Sequence, residues 1–285
     1  MTTAVLTETS SLADFASNGH RILFAGDTHT RTDHVFKLLD VAVANDCSRI
    51  FQVGDFGYWE HEPWGVQFLD DINRYAHHVG VDIYFLDGNH DNIRLLLEKY
   101  SSNVDAEGFV VVRPRVRYAP RGHVWTWKGK KFMALGGAYS VDKNWRLAQE
   151  QHAADDADEP VSSHRGTWWF PEEEMTDAEL DRYLTAAPPK INILLTHDKP
   201  RGSNPGWNRK DFPDCHPNQD RIQAAVRATA PDFLIHGHLH WRYEQPLEHD
   251  RGVTQVIGLS SDPYTAMRHK ESDSWMVFDL TNGEN

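Results

Sequence analysis

Residues 81–91, VDIYFLDGNHD, pass from an apolar run directly into a polar cluster. The run is short and rich in β-branched and aromatic residues, which predicts a buried strand. The cluster that follows it, Gly88-Asn89-His90-Asp91, supplies an amide, an imidazole and a carboxylate. The amphipathic stretch at 93–100 then predicts a helix. This unit predicts an α/β fold in which a strand presents polar side chains at its carboxyl end.

The same order of strand and polar cluster occurs four more times. RILFAGD (21–27) and RIFQVGD (49–55) lie upstream, each followed by a predicted helix, at 34–44 and at about 63–78. NILLTHD (192–198) and DFLIHGHLH (232–240) lie downstream. Open α/β sheets bind ligands at the carboxyl ends of their strands, so we expect all five clusters at one edge. The clusters are Asp27-Thr28-His29, Gly54-Asp55, Gly88-Asn89-His90-Asp91, Thr196-His197-Asp198 and Gly237-His238-Leu239-His240.

The remaining pattern favours one domain. Residues 1–19 are rich in Thr, Ser and Ala and predict a flexible N-terminal arm, whereas 20–285 contain neither an internal repeat nor a compositional linker. Antiparallel strands are predicted between 109 and 138, and a loop insertion that overhangs the site at about 139–175. Thr176 and Glu179 have the spacing of a capping box for a helix to 184. A further helix is predicted at 220–228, with strands near 253–258 and 275–280.

The composition excludes several classes of protein. The chain of 285 residues is 40% hydrophobic and 25% charged, and its 29 basic and 42 acidic residues give a net charge of −13. Duplex nucleic acid is therefore not an expected partner, because affinity for it comes from neutralising phosphates with Lys and Arg. No window approaches the ~18 to 20 consecutive apolar residues of a membrane span. The absence of a secretory signal, with only Cys47 and Cys215, predicts a cytoplasmic protein.

The side chains of the five clusters, together with the 17 histidines of the chain, predict a metal site. Carboxylate, amide oxygen and imidazole without thiolate suit Mn, Fe or Zn. A structural zinc site would normally recruit cysteine. Seven ligands are too many for one ion with an open position, whereas two ions that share a carboxylate fit them, at the ~3.5 to 4 Å separation of two-metal hydrolytic sites.

The order and spelling of the clusters resemble the calcineurin-like metallophosphoesterase family, whose pattern is D-x-H, G-D, G-N-H-D/E, H and G-H-x-H. The resemblance extends from about Arg21 to Leu280 and includes GGAYSVDKNWR and WWFPEEE, which are similar to segments of small bacterial and phage members. It implies mixed β-sheets sandwiched by helices, with a dinuclear metal site at the strand carboxyl ends.

The resemblance also implies a role for each matched residue. Asp27, His29 and His240 would bind the first metal ion, and Asn89, His197 and His238 the second. Asp55 would bridge the two. His90 would bind no metal and would stabilise the transition state or protonate the leaving oxygen, with Asp91 orienting it. Outside the family pattern, we predict a structural or outer role for His236 and leave Asp198 as an outer partner of the metal site or a turn cap.

Elementary chemistry agrees with these roles. Two cations lower the pKa of a bridging water to about 7, which makes hydroxide available as an in-line nucleophile. They also polarise the phosphoryl oxygens. An imidazole with a pKa near 6.5 can deliver a proton to the leaving alkoxide.

Three departures from relatives narrow the function. Protein Ser/Thr phosphatases place an Arg before Gly-Asn-His-Glu, whereas this chain has Asp87-Gly88. The missing Arg and the extra carboxylate argue against phosphoprotein substrates. The Gly-Asp-x-x-Tyr spelling at Tyr58 resembles purple acid phosphatases, in which the Tyr is a metal ligand. Those enzymes lack the histidine of the first cluster, which this chain has as His29. We therefore interpret Tyr58 as a pocket wall and not as a ligand. Thr30 stands where many relatives have Gly, with no chemical consequence that we derive.

The substrate is indicated only by aromatic and basic residues in the predicted loops. Tyr58, Trp59 and Tyr139 could stack on a base, as could Trp64, Trp145, Trp168 and Trp169, and packing is their alternative role. Arg146 could meet a phosphate. We therefore predict a phosphodiesterase for small nucleotide esters such as 2′,3′-cyclic nucleotides. A broad phosphomonoesterase is the alternative, followed by a metal-dependent nuclease, which the acidic charge disfavours. The intact ligand set argues against a non-catalytic scaffold.

Overall fold

A computed structural model describes residues 19–155, 169–206, 212–265 and 270–281, with the side chains of 152–155 left out. The predicted arm, 1–19, lies outside the described residues except for Gly19, and so do residues 156–168 of the predicted insertion. The single domain over 20–285 stays a prediction. None of the helices in the described part of the chain has both the length and the hydrophobicity needed to span a membrane.

The first sheet has six strands in the order β12-β1-β2-β3-β5-β4. Its parallel strands are β1 (Arg21–Ala25), β2 (Arg49–Val53), β3 (Asp82–Leu86) and β5 (Val116–Tyr118). The antiparallel edges are β4 (Val110–Arg113) and β12 (Trp275–Asp279). Three helices alternate with these strands along the chain: α1 (Thr32–Ala44), α2 (Pro63–Val79) and α3 (Ile93–Tyr100).

The second sheet also has six strands, in the order β10-β11-β9-β8-β7-β6. Its parallel strands are β7 (Lys130–Leu135), β8 (Ile193–Thr196), β9 (Phe233–His236) and β11 (Gly252–Gly258). The antiparallel edges are β6 (Val124–Trp127) and β10 (Tyr243–His249). Its helices are α4 (Lys143–Asp155), α5 (Asp177–Ala186) and α6 (His216–Thr229), and 3₁₀ turns lie at Pro171–Glu173, Pro213–Cys215 and Glu271–Ser274.

The two sheets pack face to face with helices outside them. Alternate residues of a strand point to opposite faces. On β1, Ile22 and Phe24 join a buried cluster between the sheets, whereas Leu23 and Ala25 join the cluster under α1 and α2. A third cluster lies between the second sheet and α5 and α6. The predicted fold class, mixed sheets sandwiched by helices, is confirmed.

One helix and one strand were not predicted, because neither sequence has the periodic apolar pattern of its element. Helix α4 lies in the segment predicted as a loop insertion, and its sequence, KNWRLAQEQHAAD, has no continuous apolar face. Strand β10 contains charged residues and Pro246, which sheets tolerate at an edge. The capping box of Thr176 and Glu179 is confirmed, and α6 begins at His216, four residues before the predicted start.

The loops after the parallel strands of both sheets meet at one edge. Within the first sheet, the backbone N–H of His29 donates to the carbonyl of Asp55 over 2.9 Å. Within the second, the N–H of Gly237 donates to the carbonyl of His197 over 3.2 Å. Between the sheets, the N–H of His238 donates to Oδ1 of Asp27 over 3.0 Å. Clusters far apart in sequence are thereby held in one place.

Candidate metal centre and active site

A first set of four side chains can hold one metal ion: Asp27, His29, Asp55 and His240. Each offers one ligand atom, and these atoms lie within 4.8 Å of one another. Oδ2 of Asp27 lies 2.9 Å from Nε2 of His240, and Oδ2 of Asp55 lies 3.5 Å from Nε2 of His29. The structure therefore brings together the residues predicted for the first ion.

A second set is formed by Asp55, His197 and His238, again with ligand atoms within 4.8 Å. The amide oxygen of Asn89 lies 3.2 Å from Nε2 of His197 and completes the predicted set. Oδ1 of Asp55 lies 3.3 Å from the same nitrogen of His197. One oxygen of Asp55 thus faces each set, which is the geometry that a bridging carboxylate needs.

The two sets fit a pair of divalent ions. The buried Oδ2 of Asp27 has no hydrogen-bond donor aligned with it in the described part of the chain, although a ligand imidazole lies 2.9 Å away. Two ligands of one cation are expected to lie in this way. The donors are oxygen and nitrogen only, and both cysteines are buried outside the two sets. This chemistry fits a dinuclear centre of divalent metals.

The backbone at the site is held in a conformation that side chains disfavour. Eight non-glycine residues of the described chain have positive φ, and four of them are predicted ligands: His29 (44°), Asp55 (52°), His238 (64°) and His240 (49°). Such conformations cost on the order of 1–3 kcal/mol each and persist only where the surroundings enforce them. Their concentration here supports a functional role for this edge.

Two glycines explain why the clusters contain Gly before a ligand. Gly54 has a φ of +94°, and a Cβ at this position would overlap the imidazole of His197. A Cβ on Gly88 would overlap the carboxylate and the backbone nitrogen of Asp55. Only glycine permits these approaches.

The histidines of the two sets have different outer partners. Nδ1 of His197 lies 2.8 Å from the carbonyl of Val53, whereas Nδ1 of His29 lies 3.1 Å from Oδ2 of Asp262. Although burial lowers the pKa of His29, its contacts with Asp262 and Asp55 raise it well above the ordinary value. The sequence analysis missed Asp262, although it is a carboxylate shortly after the predicted strand at 253–258.

The structure corrects the predicted role of Asp91. Its carboxylate accepts hydrogen bonds from four backbone N–H groups, those of Phe56, Gly57, Tyr58 and Gly88, at 2.7 to 3.2 Å. Its oxygens therefore fasten the loop after β2 to the loop after β3, and within the described residues no hydrogen bond joins them to the ring of His90. The reason is that the tight turn at 88–91 directs this side chain back toward backbone donors.

Arg146 contacts the ring of His90. Its Nη2 atom lies 3.0 Å from Nδ1 and 2.9 Å from Nε2. An atom equidistant from both ring nitrogens lies over the ring face, because an in-plane position would overlap Cε1. Because a guanidinium only donates, an N–H of Arg146 points at the imidazole, and the contact sets a cation against the ring. Burial lowers the pKa of His90 to about 4, with Asp55 opposing the shift and Arg146 adding to it.

Two further residues connect the 139–175 segment to the site. Nδ2 of Asn89 donates to the hydroxyl of Ser140 over 3.1 Å, and that hydroxyl donates to Glu173. The other oxygen of Glu173 accepts from Nη1 of Arg146 over 2.8 Å. This network fixes the amide of Asn89 with its oxygen toward His197. The segments GGAYSVDKNWR and WWFPEEE, noted for their family resemblance, contain these two residues. The sequence assigned neither residue a role, because their partners are distant along the chain.

Tyr58 lies in the core and not on a pocket wall, contrary to the prediction. Its side chain is fully buried, and its hydroxyl donates to Glu60 over 2.7 Å. Glu60 also accepts from Tyr100, Lys99 and Arg113 at 2.8 to 2.9 Å. The ring packs in the buried apolar cluster that includes residues of β2 and α2. Glu60 accepts the hydrogen bond of the Tyr58 hydroxyl.

Glu60→Gln is expected to lower the free energy of unfolding by about 1.5 to 3 kcal/mol, because it removes the buried carboxylate that accepts from Arg113, which keeps Asp70 at 2.7 Å as its other partner. Although burial raises the pKa of Glu60, hydrogen bonds from Lys99 and Arg113 lower it overall to about 2. The stabilisation is then full above the ordinary pKa of 4.5 and is lost as the pH falls toward 2. Denaturant titrations at pH 7 and pH 3 measure both effects.

The control is the exposed neighbour Glu98, whose Glu98→Gln variant should unfold like the unmodified chain. Equal stability of Glu60→Gln and the unmodified chain at pH 7 would contradict the role of this carboxylate.

The predicted aromatic residues lie in different environments. Trp59 is half-buried and packs against His61, Trp64 and Phe170, with ring centroids 5.3 to 6.3 Å apart. The hydroxyl of Tyr139 donates to Asp214 over 3.4 Å. Trp145 is exposed. Nζ of Lys143 lies 4.0 Å from the ring centroid of Trp169. Trp168 lies outside the described residues.

His236 and Asp198 have structural partners. The ring of His236 is buried between the carbonyl of Gly237 at 2.9 Å and the hydroxyl of Tyr243 at 2.7 Å. Asp198 accepts from the backbone of Lys199 over 2.7 Å and from Asn218 over 3.1 Å. Both contacts agree with the structural alternatives that the sequence left open.

Comparison with known proteins gives a family match. The model of a family described as calcineurin-like phosphoesterase matches residues 20–242. Among solved structures, a dimetal phosphatase from Danio rerio is 14% identical, covering 92% of this chain and 93% of its own, with a TM-score of 0.53. The protein TT1561 of Thermus thermophilus is 12% identical, covering 92% and 99%, with a TM-score of 0.48. A search of curated proteins gave no significant match.

Proposed function

We propose that this chain, which belongs to the calcineurin-like phosphoesterase family, hydrolyses diesters of small nucleotides, with 2′,3′-cyclic nucleotides as the first candidates. Metal-dependent phosphoester hydrolysis follows from the family, whereas the diester and nucleotide preferences are the proposal. The observation that carries the hydrolytic function is the pair of ligand sets that share Asp55, with Arg146 donating toward the ring of His90 beside them.

Seven side chains are proposed to hold the two ions. Asp55 is shared, and the others are Asp27, His29 and His240 for the first ion and Asn89, His197 and His238 for the second. We propose Mn²⁺ or iron, and Zn²⁺ is also compatible with these donors. When bound, the two ions supply polarisation of the phosphoryl oxygens and an acidified water molecule.

His90 and Arg146 would act on the phosphoryl group and the leaving oxygen. The backbone N–H of His90 donates to Oδ1 of Asp55 over 2.8 Å, which places the residue next to both ligand sets. Arg146 is only 3% exposed, and its guanidinium supplies positive charge with little screening.

The missing phosphate-clamping Arg supports a diester as substrate. A phosphodiester carries one negative charge, whereas a monoester carries up to two near neutral pH. Asp87 stands where the protein phosphatases place a clamping Arg. Asp87, which we expected to repel phosphoprotein substrates, is fully buried and paired with Arg121 at 2.6 Å. The charge argument therefore rests on the missing Arg alone.

The base of a nucleotide would meet the aromatic surface beside His90. The backbone of Asn92 donates to the carbonyl of Tyr58 over 3.0 Å, and its side chain lies 3.3 Å from His61. These contacts fix the loop of Trp59 against the loop of His90. We propose Trp59, and Tyr139 on the 139–175 segment, as stacking residues.

The test compares two chromogenic esters in Mn²⁺. We expect faster cleavage of bis-p-nitrophenyl phosphate than of p-nitrophenyl phosphate, followed by cleavage of 2′,3′-cyclic nucleotides. Faster monoester cleavage would replace the proposal with a broad phosphomonoesterase. Degradation of single-stranded DNA would favour the nuclease, and two bound metal ions without any cleavage would favour a scaffold. A cytoplasmic location stays part of the proposal.

A further inference from the structure

The two ligand sets differ in the charge of the group that contacts Nδ1 of one histidine in each set, His29 in the first and His197 in the second. Behind His29 stands a carboxylate, that of Asp262, at 3.1 Å and with a fully buried side chain. Behind His197 stands a neutral carbonyl, that of Val53, at 2.8 Å. Asp27 and Asp262 both lie at the first set, and Asp55 is shared. The first set therefore carries more negative charge than the second.

Asp262 is itself rigidly held. Its Oδ2 accepts from the hydroxyl of Thr265 over 2.7 Å, and its Oδ1 accepts from the backbone of Tyr264 over 3.0 Å. Its own backbone N–H donates to the carbonyl of Asp27 over 2.9 Å. Asp262 thus contacts two members of the first set, one through its side chain and one through its backbone.

We infer that Asp262 is a positioning residue for His29 that makes the first set bind its metal ion earlier and more tightly than the second. A carboxylate only accepts hydrogen bonds, so it retains the proton of His29 on Nδ1 and leaves the lone pair of Nε2 toward Asp55. Outer partners of this kind change metal affinity or activity by about 10- to 100-fold. The inference rests on the proposed function, because it requires that both sets hold an ion.

Asp198 is the matched comparison near the second set. It is fully buried, and its charge acts on His238. Its carboxylate nevertheless accepts from the Lys199 backbone and the Asn218 amide, and within the described residues no ligand imidazole is hydrogen-bonded to it. A buried Asp without this contact should not control the order of binding.

The experiment is a Mn²⁺ titration of the metal-free chain, with free Mn²⁺ counted by its electron paramagnetic resonance signal. The unmodified chain should bind two ions in a tight and a weak phase. His238→Ala should retain the tight phase and lose the weak one. Asp262→Asn should weaken the tight phase by about 10- to 100-fold, since an amide N–H donated to Nδ1 moves the imidazole proton to Nε2. Asp198→Asn should leave the tight phase unchanged.

Thr265→Val tests the same inference at an exposed position. It removes one hydrogen bond to Asp262 and should weaken the tight phase in the same direction by a smaller factor, whether or not Asp262→Asn folds. An unchanged tight phase in both variants overturns the inference, as does loss of the tight phase in His238→Ala. An unmodified chain that binds two Mn²⁺ ions but cleaves no ester refutes the proposed function and leaves this binding order intact.

Discussion

Asp55→Asn is expected to reduce the metal content from two ions per chain to at most one, and phosphodiester hydrolysis by at least about 10³-fold. The two oxygens of Asp55 face different ligand sets, at 3.5 Å from His29 and 3.3 Å from His197. An amide replaces one oxygen with a donor that cannot ligate, and it removes the shared negative charge. Metal analysis by mass spectrometry and steady-state rates in Mn²⁺ measure both losses.

Asp87→Asn is the matched control for this variant. Asp87 is a fully buried carboxylate at the same sheet edge, but it pairs with Arg121 and Tyr118 and lies outside both ligand sets. Its loss should lower stability and retain two metal ions. Two ions and normal turnover in Asp55→Asn would refute the bridging role.

His90→Ala is expected to retain both metal ions and to lower turnover by roughly 10²- to 10⁴-fold, the range for a group that acts on the reacting oxygens. His90 is not a member of either ligand set, but its ring lies 5.8 Å from that of His29, centroid to centroid. Rates and metal content of the same preparation separate a chemical role from a metal-binding role. The exposed His78 gives the control variant His78→Ala.

The same variant distinguishes the two roles that the resemblance left open for His90. A proton donor matters little for a good leaving group such as p-nitrophenolate and much for an alkoxide, whereas a group that binds the phosphoryl oxygens matters equally for both. We expect similar losses, because the guanidinium of Arg146 against the ring opposes additional positive charge on it. A loss confined to alkoxide leaving groups would restore the role of general acid, and unchanged turnover would remove His90 from the mechanism.

Local sequence was sufficient for much of the fold, and the resemblance to the family selected the seven proposed ligands from the polar clusters. Each ligand directly follows a run whose alternation or apolar character marks a strand, and strand order fixes the edge at which the run ends. The same rule applied after the strand at 253–258 would have found Asp262. Helix α4 and strand β10 were not predicted from the sequence, because their polar composition gives only a weak local preference. Tertiary contacts override such a preference.

The sequence by itself determined that carboxylates, an amide and imidazoles would gather at one sheet edge, because strand patterns and turn glycines are local properties of the chain. Only the tertiary structure decided which partner each of these groups has. Asp262 meets His29 across 233 residues, and Arg146 meets His90 across 56. Asp91 turns to backbone donors and Tyr58 to the core. Side-chain direction at a tight turn depends on which donors and apolar surfaces the fold brings near it, and no local pattern records that.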